Sequence, residues 1–278
     1  MIPRNEKMKL GYIDYLNCYP FYYYMQEKAP LPGIEIIPGY PSELNKMMIN
    51  KELDMSPISS AALSSMQDRV VLLPYFCLSS VGYIRSVLLI SKIPIEELDK
   101  RKVGLSSASL TSIVLIKILL KKFYNIVPEY TETPPTPNLN KVDAALVIGN
   151  EALINLKDPV PYIYDLGDLW FRKTGFPVVF AIFAIQIDSL DKYKDIINEV
   201  VKSYKASLKC LYTDRDNLIR CAKKRYPDIN YNIEKYYTLL RFDLTEEFRN
   251  SLEYYFHEAS ELGILKNVNS LNFVSFDM

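Results

Sequence analysis

Six short polar stretches stand where this chain could do chemistry: residues 14–20, 41–45, 59–60, 79–86, 106–112 and 149–151. They sit where strand-like runs give way to loops and helix starts, and they carry hydroxyls and carboxamides but no lysine. In an open α/β sheet, ligands bind outside the carboxyl ends of the strands. Hydroxyls and free backbone N–H groups at helix starts can hold a carboxylate or phosphate without a large counter-charge. The sharpest case is Ser109-Leu-Thr-Ser112. If Ser109 caps the helix, the amides of Thr111 and Ser112 point outward beside two hydroxyls. Taken alone, that stretch is better explained as an ordinary capped helix; its recurrence at several junctions favours a cleft for an anion. Arg85 is the one cation within these stretches. It fits either a bidentate carboxylate contact or a plain surface position.

Other chemistries are poorly served. The only histidine, His257, falls on a late helical stretch beside Glu253 and Glu261, so the usual imidazole base is missing from the loops. Cys18, Cys77, Cys210 and Cys221 form no C-x-x-C pair, which leaves no Cys/His metal site and no reason to expect a metal. There is no P-loop, no G-x-S-x-G elbow and no dinucleotide fingerprint around Gly11 or Gly33. Lys plus Arg equals Asp plus Glu, 33 each, so no net field draws the chain to nucleic acid or to an acidic membrane. The 22 tyrosines, without a basic groove, read as core and interface packing.

The elements that must position these stretches follow from periodicity. Residues 9–13, 34–37, 54–58, 70–73, 87–90, 102–105 and 144–148 read as strands, and 21–25, 41–53 and 113–123 as helices. Ser42 reads as an N-cap. Residues 177–187 are almost wholly apolar, as in a strand covered on both faces. Beyond Asp188 the chain turns helical, with long helices over about 190–208 and 245–262. Strand–helix alternation in the first two-thirds predicts an α/β fold with largely parallel strands. The start of the chain shows no apolar leader and no stretch approaches the length of a membrane span, which predicts a cytoplasmic protein with reduced thiols.

Taken in order, the polar stretches resemble the chorismate dehydratase family of the futalosine route to menaquinone. Tyr15-Leu-Asn-Cys-Tyr-Pro20 is similar to its Y-L-N-x-x-P opening. Pro41-Ser-Glu-Leu-Asn45 and Leu53-Asp-Met-Ser-Pro-Ile-Ser-Ser60 are similar to its P-S-x-L-N and L-D-x-x-P-I-S-S. Ser79-Ser-Val-Gly-Tyr-Ile-Arg-Ser-Val87, Ser109-Leu-Thr-Ser112, Ile148-Gly-Asn-Glu-Ala-Leu153 and Thr174-Gly-Phe-Pro-Val-Val-Phe-Ala181 continue the series, with Asp165-Leu-Gly167 and Trp170. Seven blocks in one order are specific where each alone is weak. The chain departs from the pattern at Asn150, where Asp is usual, at Asp14, where Ser is common, and at Phe183, often Trp.

The resemblance implies a two-lobed fold like a type II periplasmic binding protein, with a central ligand cleft. One lobe would be discontinuous, residues 1–88 plus 186–278, and the other 89–185. It implies loss of water from chorismate or a similar small carboxylate, giving 3-[(1-carboxyvinyl)oxy]benzoate, without metal or organic cofactor. In that reading Ser109, Thr111 and Ser112 hold one carboxylate, and Ser59, Ser86, Arg85 and Asn150 help bind. Asn17 orients the substrate, and the proton goes to Asp14 or to the substrate's own enolpyruvyl carboxylate. A sister enzyme of the same fold uses a catalytic histidine, for which no loop here has a candidate. A non-catalytic carboxylate binder or divergent paralogue of the same fold is the competing expectation.

Overall fold

The computed structural model describes residues 6–154 and 159–275. Residues 1–5, part of the start read above as lacking an apolar leader, lie outside them. The strands are β1 (Met8–Ile13), β2 (Ile34–Gly39), β3 (Met55–Ser59), β4 (Val70–Ser80), β5 (Val87–Ser91), β6 (Lys102–Ser106), β7 (Glu129–Thr133), β8 (Ala144–Ile148), β9 (Tyr162–Asp165), β10 (Val178–Gln186) and β11 (Leu240–Asp243). They form a six-stranded sheet, β11-β4-β10-β3-β1-β2, and a five-stranded sheet, β7-β6-β8-β5-β9. No described helix is long and apolar enough to cross a membrane.

Both sheets are mixed rather than largely parallel, and the route of the chain explains why. β1 runs parallel to β2 and β3, and β6 parallel to β7 and β8. These strands deliver their carboxyl ends to the space between the lobes. β4 also runs that way and hands the chain to the second lobe through residues 81–86. A strand that has just entered a lobe must run away from the cleft. β5 is accordingly antiparallel to β8 and β9, and β10 antiparallel to β3 and β4.

The pairing also places the return crossing. Residues 178–185, grouped from sequence with the second lobe, lie in β10 between β3 and β4, so the chain comes back at residues 175–177. All nine residues of β10 are buried. An all-apolar run suits the middle of either sheet, so periodicity could not assign it. β4 extends well past Pro74, where the sequence reading stopped it. Its register against β10 jumps between Leu72 and Cys77, a bulge that takes up the proline's missing N–H.

The tyrosines do pack the core. Tyr12, Tyr19, Tyr22, Tyr23, Tyr204 and Tyr236 are among the largest fully buried side chains. Buried phenols need partners, and Tyr22 donates to the Gly11 carbonyl at 2.6 Å while Tyr204 donates to Tyr22 at 2.8 Å. Phe183 lies 4.6 Å, centroid to centroid, from Phe21 and packs on Phe76 and Tyr204. This departure from the family's usual Trp therefore sits in the core of the first lobe.

Helices Lys194–Thr213 and Glu246–Glu261 match the two long helical stretches of the tail. Two more, Arg215–Arg225 and Ile233–Leu239, were not legible. The first is too charged for a clear apolar stripe, and the second is seven residues long. The helix Pro41–Ile49 starts two residues earlier than Ser42 as N-cap would require. Tyr40 is its N-cap, Pro41 its first residue, and Glu43 accepts from the Tyr40 N–H at 2.8 Å. The Ser42 N–H instead donates to the Ala108 carbonyl at 3.1 Å, a tie across to the other lobe.

Candidate active site between the lobes

The six polar stretches converge. A narrow cavity lies between the sheets, and each stretch contributes to its wall: Tyr15 and Asn17, Pro41, Ser59, Ile84 and Ser86, Ser109 and Ser112, and Gly149. Ile13, Leu78, Val87, Ile148, Phe180 and Ala181 supply an apolar lining. The cavity is thus a mostly apolar slot with a few placed polar groups, as small-molecule sites usually are.

Three of those residues, Tyr15 with its hydroxyl among them, have a polar atom without a partner among the described residues. Asn17 Oδ1 and Ser59 Oγ are buried with no hydrogen bond. An unsatisfied buried polar atom costs about 1–3 kcal/mol, and the expected compensation is a bound ligand. Their positions are held by others. Asn45 Oδ1 accepts from the Ser59 N–H at 3.0 Å, which explains the asparagine four residues after Pro41. Tyr236 donates to Ser86 Oγ at 2.7 Å. Ser109 caps the helix Leu110–Ile118 by position but makes no side-chain cap bond; its hydroxyl instead pairs with that of Ser112 at 3.4 Å. The first turn of this helix therefore begins at the cavity wall without a capping side-chain oxygen.

Four expected site residues stand apart from this cavity. Thr111 is a clamp between lobes: its Oγ1 donates to the Phe180 carbonyl at 3.0 Å and accepts from the Ala61 N–H at 3.2 Å. Its single proton is engaged by Phe180, so the hydroxyl has no donor to offer a carboxylate. The Arg85 guanidinium donates to the Ala152 carbonyl at 2.8 Å and stacks over Tyr231, 5.4 Å from the ring centre. Asp14 Oδ1 accepts from Arg225 Nη2 at 3.0 Å and from the Tyr226 hydroxyl at 2.8 Å, in an adjoining surface groove. Asn150 Oδ1 accepts from the Leu16 N–H at 2.8 Å, which fixes the turn carrying Asn17. An aspartate would accept that bond equally well, so the exchange at 150 keeps the structural role.

The reading of the loops missed Tyr15, Gly149 and Glu151 as site features. Gly149 has φ +63° and ψ −136°, a conformation essentially reserved for glycine. A Cβ there would meet the Tyr15 ring at 2.4 Å. A glycine directly after an apolar strand was the available signal. Gly149→Ala should cost about 2 kcal/mol or more in stability, combining about 1–3 kcal/mol of backbone strain with displacement of Tyr15. Thermal unfolding checks this, and an unchanged midpoint would show that the ring yields freely.

Glu151 lies half-buried behind Tyr15, with its Oε1 accepting from the Tyr40 hydroxyl at 3.4 Å and its Oε2 without a proper hydrogen bond. Burial pushes its carboxyl above the usual range, against weaker opposing help from its own backbone, Tyr15 and Tyr40. A carboxyl whose folded pKa is raised binds its proton more tightly when folded. Its contribution is therefore most favourable below the ordinary carboxylate pKa and is lost as pH rises through the folded value. Relative to the wild type, Glu151→Gln should gain stability as pH rises through that window and hold the gain at neutral pH. Unfolding midpoints across the pH range test this, and a gap that does not change with pH would contradict it.

Nucleophilic and metal chemistry find little support among the described residues. Burial pushes the Cys77 thiol up to about 12, and Cys18 and Cys210 are raised by the same cause. His257 is exposed on the helix Glu246–Glu261, and no group of three or more His, Cys, Asp or Glu could hold a metal ion.

Known proteins extend the comparison. The family described as menaquinone biosynthesis matches residues 8–261. A chorismate dehydratase of Thermus thermophilus is 31% identical over 192 residues, covering 63% of this chain and 68% of that protein. One from Campylobacter jejuni is 28% identical over 235 residues, covering 82% of this chain and 88% of that protein. Among solved structures, the periplasmic aliphatic sulphonate binding protein SsuA of Escherichia coli superposes with a TM-score of 0.63 at 13% identity, over 94% of each chain. That likeness shows the two-lobed binding-protein fold.

Proposed function

Because the chain belongs to the menaquinone biosynthesis family, we propose that it is a chorismate dehydratase acting as a hydro-lyase on the futalosine route. It converts chorismate to 3-[(1-carboxyvinyl)oxy]benzoate and water. The observation that carries this reading is the pair of unpartnered polar atoms, Asn17 Oδ1 and Ser59 Oγ, in a mostly apolar slot between the lobes. Such a slot suits a flat ring with a few polar substituents.

In the reaction, the ring carbon bearing the enolpyruvyl ether loses its proton and the neighbouring carbon loses hydroxide. The ring becomes aromatic, so the step runs strongly downhill and only the barrier needs lowering. Ser109, Ser112 and the first-turn amides behind them hold a carboxylate. Asn17 and Ser86 bracket the leaving hydroxyl. No cavity side chain is a strong base, and Asp14 is engaged by Arg225 and Tyr226. The proton therefore passes to the substrate's own enolpyruvyl carboxylate, held close by the cleft, and from there to the departing hydroxide, which leaves as water. We place the protein's work in the cytoplasm, where thiols stay reduced.

The test is to mix purified protein with chorismate, without added metal or cofactor, and follow the products by chromatography and mass. A product lighter by one water supports the reading. Saturable binding without turnover would overturn it in favour of a carboxylate-binding protein. A chorismate analogue lacking only the enolpyruvyl carboxylate probes the proton acceptor, since normal turnover of it excludes self-assistance.

A further inference from the structure

We propose that Tyr236 is a positioning residue that sets the hydrogen-bond polarity of the cleft, orienting Asn17 as an acceptor and Ser86 as a donor toward the substrate's leaving hydroxyl. This inference rests on the chorismate dehydratase reading and adds a residue to it.

Tyr236 lies on the helix Ile233–Leu239, outside every polar stretch that the sequence singled out. It is fully buried, with its ring packed against Tyr231 and Tyr237. Its hydroxyl donates to Ser86 Oγ at 2.7 Å, and the Asn17 side chain is a second polar group close enough to bias it. The three groups can be satisfied in one way. Asn17 Oδ1 has no partner, so the contact from Asn17 to the phenol comes from its amide N–H. The phenol oxygen is then an acceptor from Asn17, and its own single proton points to Ser86 Oγ, the other group in reach. Ser86 Oγ accepts that proton, so its own hydroxyl hydrogen is free to turn into the cavity.

The result is a fixed pair. Asn17 presents a carbonyl oxygen and Ser86 presents an O–H, each locked by the same buried phenol. A hydroxyl is the substrate group that matches both, since it donates to Asn17 and accepts from Ser86 at once. Donation from Ser86 to the departing oxygen is the help that C–O cleavage needs. The product has lost that hydroxyl, so the pair should matter for turnover and hardly at all for product affinity.

Tyr236→Phe removes one oxygen and keeps the ring packing. Asn17 can then flip and Ser86 can rotate. We expect kcat to fall about ten- to a hundredfold, with KM and the affinity for 3-[(1-carboxyvinyl)oxy]benzoate changing by less than about threefold. A kcat within twofold of wild type overturns the inference. So does a parallel loss of product affinity, which would mean general damage to the cleft. A second readout does not depend on turnover. In a spectrum of protein labelled with ¹⁵N-asparagine, the Asn17 side-chain amide, assigned by its loss in Asn17→Ala, should shift and exchange faster with water in Tyr236→Phe. If wild type leaves chorismate unchanged, the functional reading falls. The amide spectrum then decides the Tyr236 contact separately: a shift upholds it and an unmoved resonance overturns it.

Discussion

Asn17→Ala should lower turnover of chorismate about a hundredfold or more while leaving the folding stability nearly unchanged. The two halves of that expectation have different causes. Asn17 is 9% exposed and its Oδ1 has no partner among the described residues. Removing an unsatisfied buried oxygen relieves a desolvation cost of about 1–3 kcal/mol, which offsets loss of the amide contact to Tyr236. In the transition state the same oxygen would accept a hydrogen bond from the leaving hydroxyl, and preorganised groups of this kind are worth about 10²–10³ in rate. Steady-state kinetics beside thermal unfolding separates the effects. Full turnover in the variant would remove Asn17 from the mechanism, and a collapse of the midpoint would reassign it to structure.

The fold was legible where local chemistry and topology agreed. β1, β2 and β3 follow from short apolar runs between turn signals, and the helix Leu110–Ile118 from its apolar periodicity after a serine. β7, β9 and β11 are edge strands of four or five residues, several of them exposed, and leave no pattern to read. The direction of β5 and β10 was also hidden. It is set by where the chain crosses between lobes, a global fact that no window of sequence contains.

The site was legible as a set of loops more than as a set of side chains. All six polar stretches reach the cavity, yet the same stretches hold residues that tie the lobes together. Ser109 and Thr111 are two positions apart and both hydroxylated. Ser109 lines the cavity while Thr111 turns to Phe180 and Ala61. The helical rotation between them decides this, and it depends on packing against β10. Tyr236 was invisible for another reason: it lies 150 positions from Ser86 in the chain, among other tyrosines of the helical tail.

Asp165→Ala is expected to cost about 3 kcal/mol or more in stability and to lower turnover as well, although Asp165 does not line the cavity. Its carboxylate caps the helix Leu166–Thr174 by accepting from the Asp168 N–H at 3.1 Å. It also accepts from the Ile84 N–H at 3.2 Å and the Arg85 N–H at 2.6 Å. The second pair of bonds holds the crossing between lobes, where Arg85 sits at φ +71°, an uncommon conformation for a residue with a side chain. Loss of the cap alone costs about 1 kcal/mol. Each buried amide left unpaired at residues 84 and 85 adds about 1–3 kcal/mol unless water reaches it. With the clamp gone, Arg85 can relax from the left-handed region and carry Ser86, its neighbour in the cleft, out of place. Asp165→Asn should recover only part of the loss, because its amide N–H₂ turns a second donor toward these backbone donors. Thermal unfolding of both variants beside chorismate turnover checks the argument. A stable, inactive alanine variant would mean that Asp165 acts on the cleft without holding the fold, and a destabilised but fully active one would mean that Ser86 keeps its place without the clamp.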